Sequence, residues 1–239
     1  MEKEGLRPVP IQLKRLERLS FIRHGFGDSS WRGKDLRRLA EKLGFRPVLL
    51  KQVHSDVVHF IEEPPQRTLR GDGALTRLPG LLLAIRTADC LPVLLVEERR
   101  RVIGAVHCGW KGTSRHILEK AVLGMRERYG ADPGAVLAAF GPCIGRDCYE
   151  VGEDVRRAFA AAGFPDSVFR TVKGAPGQFL LDLRAANRLQ LLKLGVKAGN
   201  ILSLDLCTHC QPRYPSYRRD KENCGRMISF IGAVSMPLP

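Results

Sequence analysis

Three short apolar runs each end on a residue that binds metals or acts as a nucleophile, and this repetition constrains the chain more than any other feature. In Arg101-Val-Ile-Gly-Ala-Val-His107-Cys-Gly-Trp-Lys-Gly-Thr113, the stretch Val102 to Val106 has buried-strand character, closes on an imidazole and breaks at Gly109. Val48 to Val53 runs into His54 in the same way, and Leu81 to Asp89 runs into Cys90. Beyond Gly112, the residues Ile117, Leu118, Ala121, Val122 and Met125 recur at helical spacing. They predict a helix over 114–129 with Thr113 or Ser114 as N-cap. A strand end, a glycine-bracketed turn and a helix N-terminus together predict a place for a metal or an anion, because helix N-termini present unpaired N–H groups and partial positive charge.

The rest of the chain reads as short strands near 19–24, 48–53, 57–61, 73–76, 81–86, 91–96, 102–107, 135–140, 179–181, 201–204 and 227–231. Helical spacing marks 34–43, 154–162 and 183–194, while the first 20 residues read as an edge strand. A run of strands without intervening helices predicts a largely antiparallel or mixed sheet in an α+β fold, not a doubly wound one. No linker and no internal repeat divides the chain, so residues 1–239 are expected to form a single domain.

The formal charge of +14 raises a nucleic-acid reading. The basic residues are scattered, however, and neither Arg99-Arg100-Arg101 nor Arg218-Arg219-Asp220-Lys221 is accompanied by a series of stacking aromatics. The first triplet follows Glu97-Glu98 and predicts a charged hairpin turn. An anionic small molecule is the expected partner, a charged surface the plainer explanation, and nucleic acid ranks third. No run approaches the ~20 apolar residues of a membrane span. The N-terminal residues lack the apolar core of a signal peptide, and a cytoplasmic location is expected. Seven cysteines, an odd number, then argue against a disulfide framework.

Zinc favours His nitrogen and Cys thiolate, and a catalytic site uses three protein ligands with one open position. His54, Cys90 and His107 would supply such a set, although no short ligand pair anchors it. The competing reading is nucleophilic, with Cys90 as thiolate and His107 as base; Asp89 could orient either arrangement. Cys207-Thr-His-Cys210, with Cys224 downstream, reads first as a buried turn and second as a partial metal or redox site. Cys143 and Cys148 frame a Gly-Pro loop and read as small hydrophobes. A multicopper oxidase needs many imidazoles, whereas this chain has six His and no H-x-H pair. Copper is therefore disfavoured.

Several motifs carry a resemblance in order along the chain. They are Gln52-Val-His54, Thr87-Ala-Asp-Cys90-Leu-Pro-Val, Val106-His107-Cys-Gly-Trp-Lys-Gly, Gly141-Pro-Cys-Ile-Gly, Cys148-Tyr-Glu-Val-Gly152, Ser216-Tyr-Arg-Arg-Asp and Gly225-Arg226-Met. Together they resemble the YfiH-type laccase-domain proteins over about residues 20 to 232. The resemblance implies a zinc-dependent purine nucleoside phosphorylase that also deaminates adenosine, with His54, Cys90 and His107 as metal ligands. It also implies a four-layer α-β-β-α sandwich similar to the catalytic domain of cytotoxic necrotizing factor toxins. Cys108 and Cys143 stand where the family usually has Ala, and Gly71-Asp-Gly73 resembles its Gly-Asp-Ala turn. Roles for these cysteines, and for Cys210 and Cys224, do not follow from the motifs.

Purine nucleosides and phosphate are the expected substrates. Phosphate would be held by Lys111, Arg218, Arg219 or Arg23 beside the helix N-terminus at Thr113. Asp89 and Glu150 are the carboxylates available to move protons during deamination. The H-x-E…P-C-x-x-C signature of cytidine-type deaminases is absent. Rival readings are a metal-independent cysteine hydrolase using Cys90 and His107, a copper-dependent polyphenol oxidase, and a basic binding module.

Overall fold

The computed structural model describes residues 10–234; residues 1–9, which hold the stretch read above for a signal segment, and 235–239 lie outside them. In chain order the elements begin with α1 (Lys14–Glu17), β1 (Ile22–Phe26), α2 (Gly33–Lys42), β2 (Arg46–Leu49), β3 (Val58–Ile61), β4 (Gly73–Thr76), β5 (Leu81–Thr87), β6 (Leu91–Glu97) and β7 (Val102–Cys108). Two helices follow, α3 (Trp110–Ser114) and α4 (Ile117–Tyr129), then β8 (Leu137–Phe140), β9 (Glu150–Gly152), α5 (Glu153–Ala161), β10 (Phe169–Thr171) and β11 (Gln178–Leu181). The chain ends with α6 (Leu183–Lys193), β12 (Ile201–Ser203), α7 (Tyr217–Asp220) and β13 (Met227–Ala233). Among the described residues no helix is long and apolar enough to cross a membrane.

The fold is α+β with mixed sheets. One sheet has the order β1-β13-β5-β2, a second β12-β8-β6-β7-β4-β3, and a small third one β10-β11-β9. β2 runs parallel to β5, β3 to β4 and β12 to β8, while the remaining neighbours are antiparallel. β6 and β7 are buried at every residue, which is why they read as unbroken apolar runs instead of alternating ones.

Successive side chains on a strand point to opposite faces, and here each face finds a different core. Val93 and Leu95 of β6 join Leu118, Val122 and Met125 of α4 and Leu191 of α6. Leu94 and Val96 turn the other way, toward Leu83 and Ile85 of β5, Ile231 of β13 and Phe26 of β1. Leu82 and Ala84 of β5 meet Leu36 and Ala40 of α2, with Phe230 stacked on Trp31 at 5.0 Å. The charged turn after β6 forms as expected: Arg100 N–H donates to the Glu97 carboxylate at 2.7 Å, and Arg101 closes the hairpin at φ 53°.

Three expectations require correction. The helix expected over 114–129 is two helices, with Gly109 as the N-cap of α3 and His116 in the left-handed region between them. His116 is anchored there by a ring hydrogen bond to the Ala162 carbonyl at 3.0 Å and by stacking on Phe164 at 5.3 Å. The strand expected over 48–53 ends at Leu49, because the backbone beyond Lys51 is gathered around the Asp72 carboxylate. Part of the edge strand expected over the first 20 residues lies outside the described residues; from residue 10 onward it reduces to one bridge between Ile11 and Phe26, followed directly by α1.

Gly141 leads from β8 toward the 143–148 loop at a point of close packing. A Cβ there would lie 2.3 Å from the buried Phe26 ring and 2.8 Å from Pro92. Gly141→Ala is therefore expected to lower stability by about 1–3 kcal/mol through overpacking. Gly199→Ala, where a Cβ meets nothing within 4 Å, is expected to be neutral or stabilising by a few tenths up to about 1 kcal/mol. Urea denaturation of the two variants measures the contrast.

Candidate metal centre

Asp72 stands at the start of the turn into β4, is fully buried, and accepts five hydrogen bonds with its two carboxylate oxygens. The backbone N–H groups of Val53, His54 and Ser55 donate at 3.2, 3.0 and 2.7 Å, and the Ser55 hydroxyl donates at 2.7 Å. The fifth partner is His107 Nδ1 at 2.8 Å. Burial alone would raise the Asp72 pKa. Hydrogen bonds from His107 and Ser55 outweigh it and hold the carboxyl well below its ordinary value.

This carboxylate places two imidazoles. It holds His54 at φ 56°, a left-handed backbone that a non-glycine residue adopts at a cost of about 1–2 kcal/mol. It also occupies Nδ1 of His107, so Nε2 is the nitrogen left to face outward. Cys90 enters from the turn between β5 and β6. Its sulfur and one nitrogen of each histidine lie within 4.8 Å of one another, while the imidazole centroids are 5.0 Å apart. Gly109 forms the floor: a Cβ there would come within 3.1 Å of the Cys90 sulfur and 3.3 Å of His54 Cδ2. Of these three residues only His107 lies within a strand; His54 and Cys90 sit in turns.

The sulfur and the imidazole bias each other's charge. Desolvation pushes the Cys90 thiol up, but the charge and hydrogen bonds of His107, with His54 assisting, bring it down to about 6. Desolvation pushes His107 down, but Cys90 and Asp72 raise it to about 9. Without a metal the pair is thus a thiolate beside an imidazolium near neutral pH. A deprotonated sulfur and an oriented imidazole are the forms that bind zinc.

Asp89 adopts φ 79° and is nearly buried, with both oxygens engaged. Oδ1 accepts from the Thr208 hydroxyl and Oδ2 from the Arg218 backbone N–H, each at 2.6 Å. A cavity of about 830 Å3 opens above His54, Cys90 and His107, lined also by Arg86, Trp110, Tyr149, Arg218, Glu222 and Arg226. Arg218 reaches over Tyr149 at 5.7 Å and donates to the Glu150 carbonyl at 2.6 Å.

The other residues predicted from sequence lie elsewhere. The exposed Glu150 contributes its carbonyl to Arg218 but does not line the cavity. Thr113 is fully buried inside α3, where its carbonyl accepts from Gln190, so it does not front an anion. Lys111 is exposed and rests near the Trp110 ring at 5.6 Å, outside the cavity lining. Arg23 donates to the Ser20 and Ile22 carbonyls beside β1. Arg219 is committed to Asp220 and to the carbonyls of Thr208, His209 and Tyr214, which makes it a clasp for its own loop. Sequence reasoning missed Asp72 as an orienting group and Arg86 and Arg226 as cavity cations. The turn Gly71-Asp-Gly73 was the available signal for the first.

A family model described as "Multi-copper polyphenol oxidoreductase laccase" matches residues 26–234. The chain belongs to this laccase-domain, or YfiH, family. Among curated members, it is 37% identical over 219 residues to "Adenosine deaminase RL5" from an unknown prokaryotic organism, covering 86% of this chain and 83% of the relative. It is 36% identical to "Purine nucleoside phosphorylase YlmD" of Geobacillus stearothermophilus, covering 82% and 76%, and 42% identical to a purine nucleoside phosphorylase of Deinococcus radiodurans, covering 82% and 74%. The solved structure of YfiH from Bacillus licheniformis superposes with a TM-score of 0.82 at 29% identity, covering 89% and 92% of the two chains. YlmD from Geobacillus stearothermophilus gives 0.80 at 30%, covering 91% and 93%. This laccase-domain chain is an enzyme. The family's multicopper description fits its histidines poorly. His24 accepts from Leu13 N–H inside the core, His59 and His116 bond backbone carbonyls, and His209 lies outside the cavity lining, so two of the six imidazoles, those of His54 and His107, stand at the cavity.

Asp72→Asn is expected to lower metal affinity at this centre about 10–100-fold, as loss of an outer-shell carboxylate typically does. It is also expected to destabilise the fold by about 2–3 kcal/mol, since hydrogen bonds to a charged group contribute more than neutral ones. Metal titration and denaturation of the same variant check both. In metal-free protein, the alkylation rate of Cys90 should rise with pH through about 6, because the thiolate is the reactive form. A midpoint near 9 would contradict the thiolate–imidazolium pair.

Proposed function

We propose that the enzyme cleaves purine nucleosides with phosphate and deaminates adenosine at a zinc centre held by His54, Cys90 and His107. The observation that carries this reading is the His2Cys set, oriented by Asp72, at the floor of a cavity walled by arginines and aromatic rings. The relatives' names support the two reactions. The donor set suits zinc: nitrogen and thiolate, three protein ligands, and an opening toward the cavity. Zinc bound there supplies Lewis acidity and an acidified water. The same three cores support an α-β-β-α layering and a single unit over 1–239.

In phosphorolysis a phosphate oxygen bonds to C1′ of the ribose while the bond from C1′ to N9 breaks, and the purine leaves with a proton. Arg86, Arg218 and Arg226 are the cations placed to hold the phosphate, since guanidinium forks match phosphate geometry. Tyr149 and Trp110 offer faces for the base. In deamination water adds at C6 and ammonia leaves. Asp89 holds the Arg218 backbone and the Thr208 hydroxyl in either reaction.

A second reading, metal-independent hydrolysis with Cys90 as nucleophile, draws on the thiolate–imidazolium pair of the free protein. A chelator separates the two, since it leaves such a hydrolase active.

The test is a product screen on protein as purified. Inosine with phosphate should give hypoxanthine and ribose 1-phosphate, adenosine should give inosine and ammonia, and Cys90→Ala should lose both reactions together with the zinc of this centre. An unchanged zinc count with activity intact in that variant would refute the centre. Arg218→Ala should raise the phosphate KM about tenfold or more, with a smaller effect on deamination, which needs no anion. Lys111→Ala, outside the cavity, should change either reaction less than twofold. Equal losses of both reactions in Arg218→Ala would remove it from phosphate binding.

A further inference from the structure

A second group of thiols lies away from the cavity. The sulfurs of Cys148, Cys207 and Cys210 are within 4.8 Å of one another, and those of Cys148 and Cys210 are 3.3 Å apart. Two loops are joined to bring them together. Cys143 and Cys207 bridge in parallel, with Cys143 N–H donating to the Leu206 carbonyl at 3.3 Å and Thr208 N–H to the Cys143 carbonyl at 3.1 Å. Arg184 braces both loops by donating to the Leu206, Cys143 and Leu204 carbonyls.

Backbone amides converge on the Cys207 sulfur. Gly145 N–H donates to its sulfur at 3.1 Å, and the N–H groups of Cys210 and His209 point at the same atom. Amide donors directed at the first sulfur of a C-x-x-C turn stabilise its negative charge. Gly145 permits the approach, because a Cβ there would already lie 3.2 Å from that sulfur. Three sulfur donors this close match the soft donor set that a thiophilic cation takes. Tetrahedral zinc at a Zn–S distance of about 2.3 Å sets its sulfurs about 3.8 Å apart, between the 3.3 Å of the Cys148–Cys210 pair and the 4.8 Å limit of the whole set.

We infer that Cys148, Cys207 and Cys210 form a second, thiolate-rich site for a thiophilic ion of the zinc class, with water as the fourth ligand. Its place in the fold gives it a structural role. Thr208, between two of the ligands, donates to Asp89, the residue preceding Cys90. Arg219 ties the carbonyls of Thr208 and His209 to the same loop. An ion at the three sulfurs would fix the wall that carries Asp89 without touching substrate.

The experiment counts zinc in full-length protein purified with reductant and loaded with zinc. Wild type should hold two ions per chain, Cys90→Ser one, Cys148→Ser/Cys210→Ser one, and the triple variant none. In Cys90→Ser, zinc at a hundredfold excess over its Kd should raise Tm by about 5–10 °C; the triple variant should show no rise. Because Cys210 is exposed, Cys210→Ser alone serves if the double variant fails to fold, and it should weaken zinc binding in the Cys90→Ser background at least tenfold. Three results would overturn the inference: a Cys90→Ser protein that holds no zinc, equal zinc counts in wild type and Cys148→Ser/Cys210→Ser, or a Cys148–Cys210 disulfide in the reduced preparation.

Discussion

The buried carboxylate of Asp72 is the interaction on which the centre depends. An unpaired charge at that depth would cost several kcal/mol, and its five donors remove that cost while using it to shape the protein. Three consecutive amides wrap around it, which ends β2 and turns His54 toward Cys90 and His107 against its backbone preference. The remaining bond fixes which nitrogen of His107 is free. One side chain thereby positions two imidazoles from separate parts of the chain and joins the loop after β2 to the end of β7.

Asp89 repeats this logic for the third ligand. It too adopts a left-handed backbone and spends both oxygens on distant partners, the Thr208 hydroxyl and the Arg218 amide. Cys90 is therefore delivered by a strained turn that the C-terminal loop holds in place. The same loop presents Arg218 to the cavity and is clasped by Arg219. Two neighbouring basic residues thus divide their work: the Arg219 guanidinium is used up inside its loop, and that of Arg218 reaches the open space above the metal ligands.

Much of this was legible in the sequence because it rests on local pattern. The apolar runs of β5, β6 and β7 needed only periodicity to find, and the grouping of His54, Cys90 and His107 was reached from residue chemistry together with the family resemblance. What escaped depends on contacts distant in sequence. Nothing near Thr113 shows that it faces Asn187 and Gln190 of α6, so a helix N-terminus was expected where a buried helical turn stands. Nothing near Arg23 shows that it bonds its own neighbours. Asp72 looked like one residue of a glycine turn because its five partners come from the 53–55 loop and β7. The sheet β10-β11-β9 was largely invisible since two of its strands are three residues long.

The central claim is that one thiolate and two imidazoles share a metal below the cavity. Zinc-edge X-ray absorption on the Cys148→Ser/Cys210→Ser protein tests it most directly, because that variant leaves only this centre to report. The account predicts a first shell with one sulfur at about 2.3 Å and two imidazole nitrogens at about 2.0–2.1 Å, completed by one further light atom. A shell without sulfur, or one made of several sulfurs and no imidazole, would contradict it.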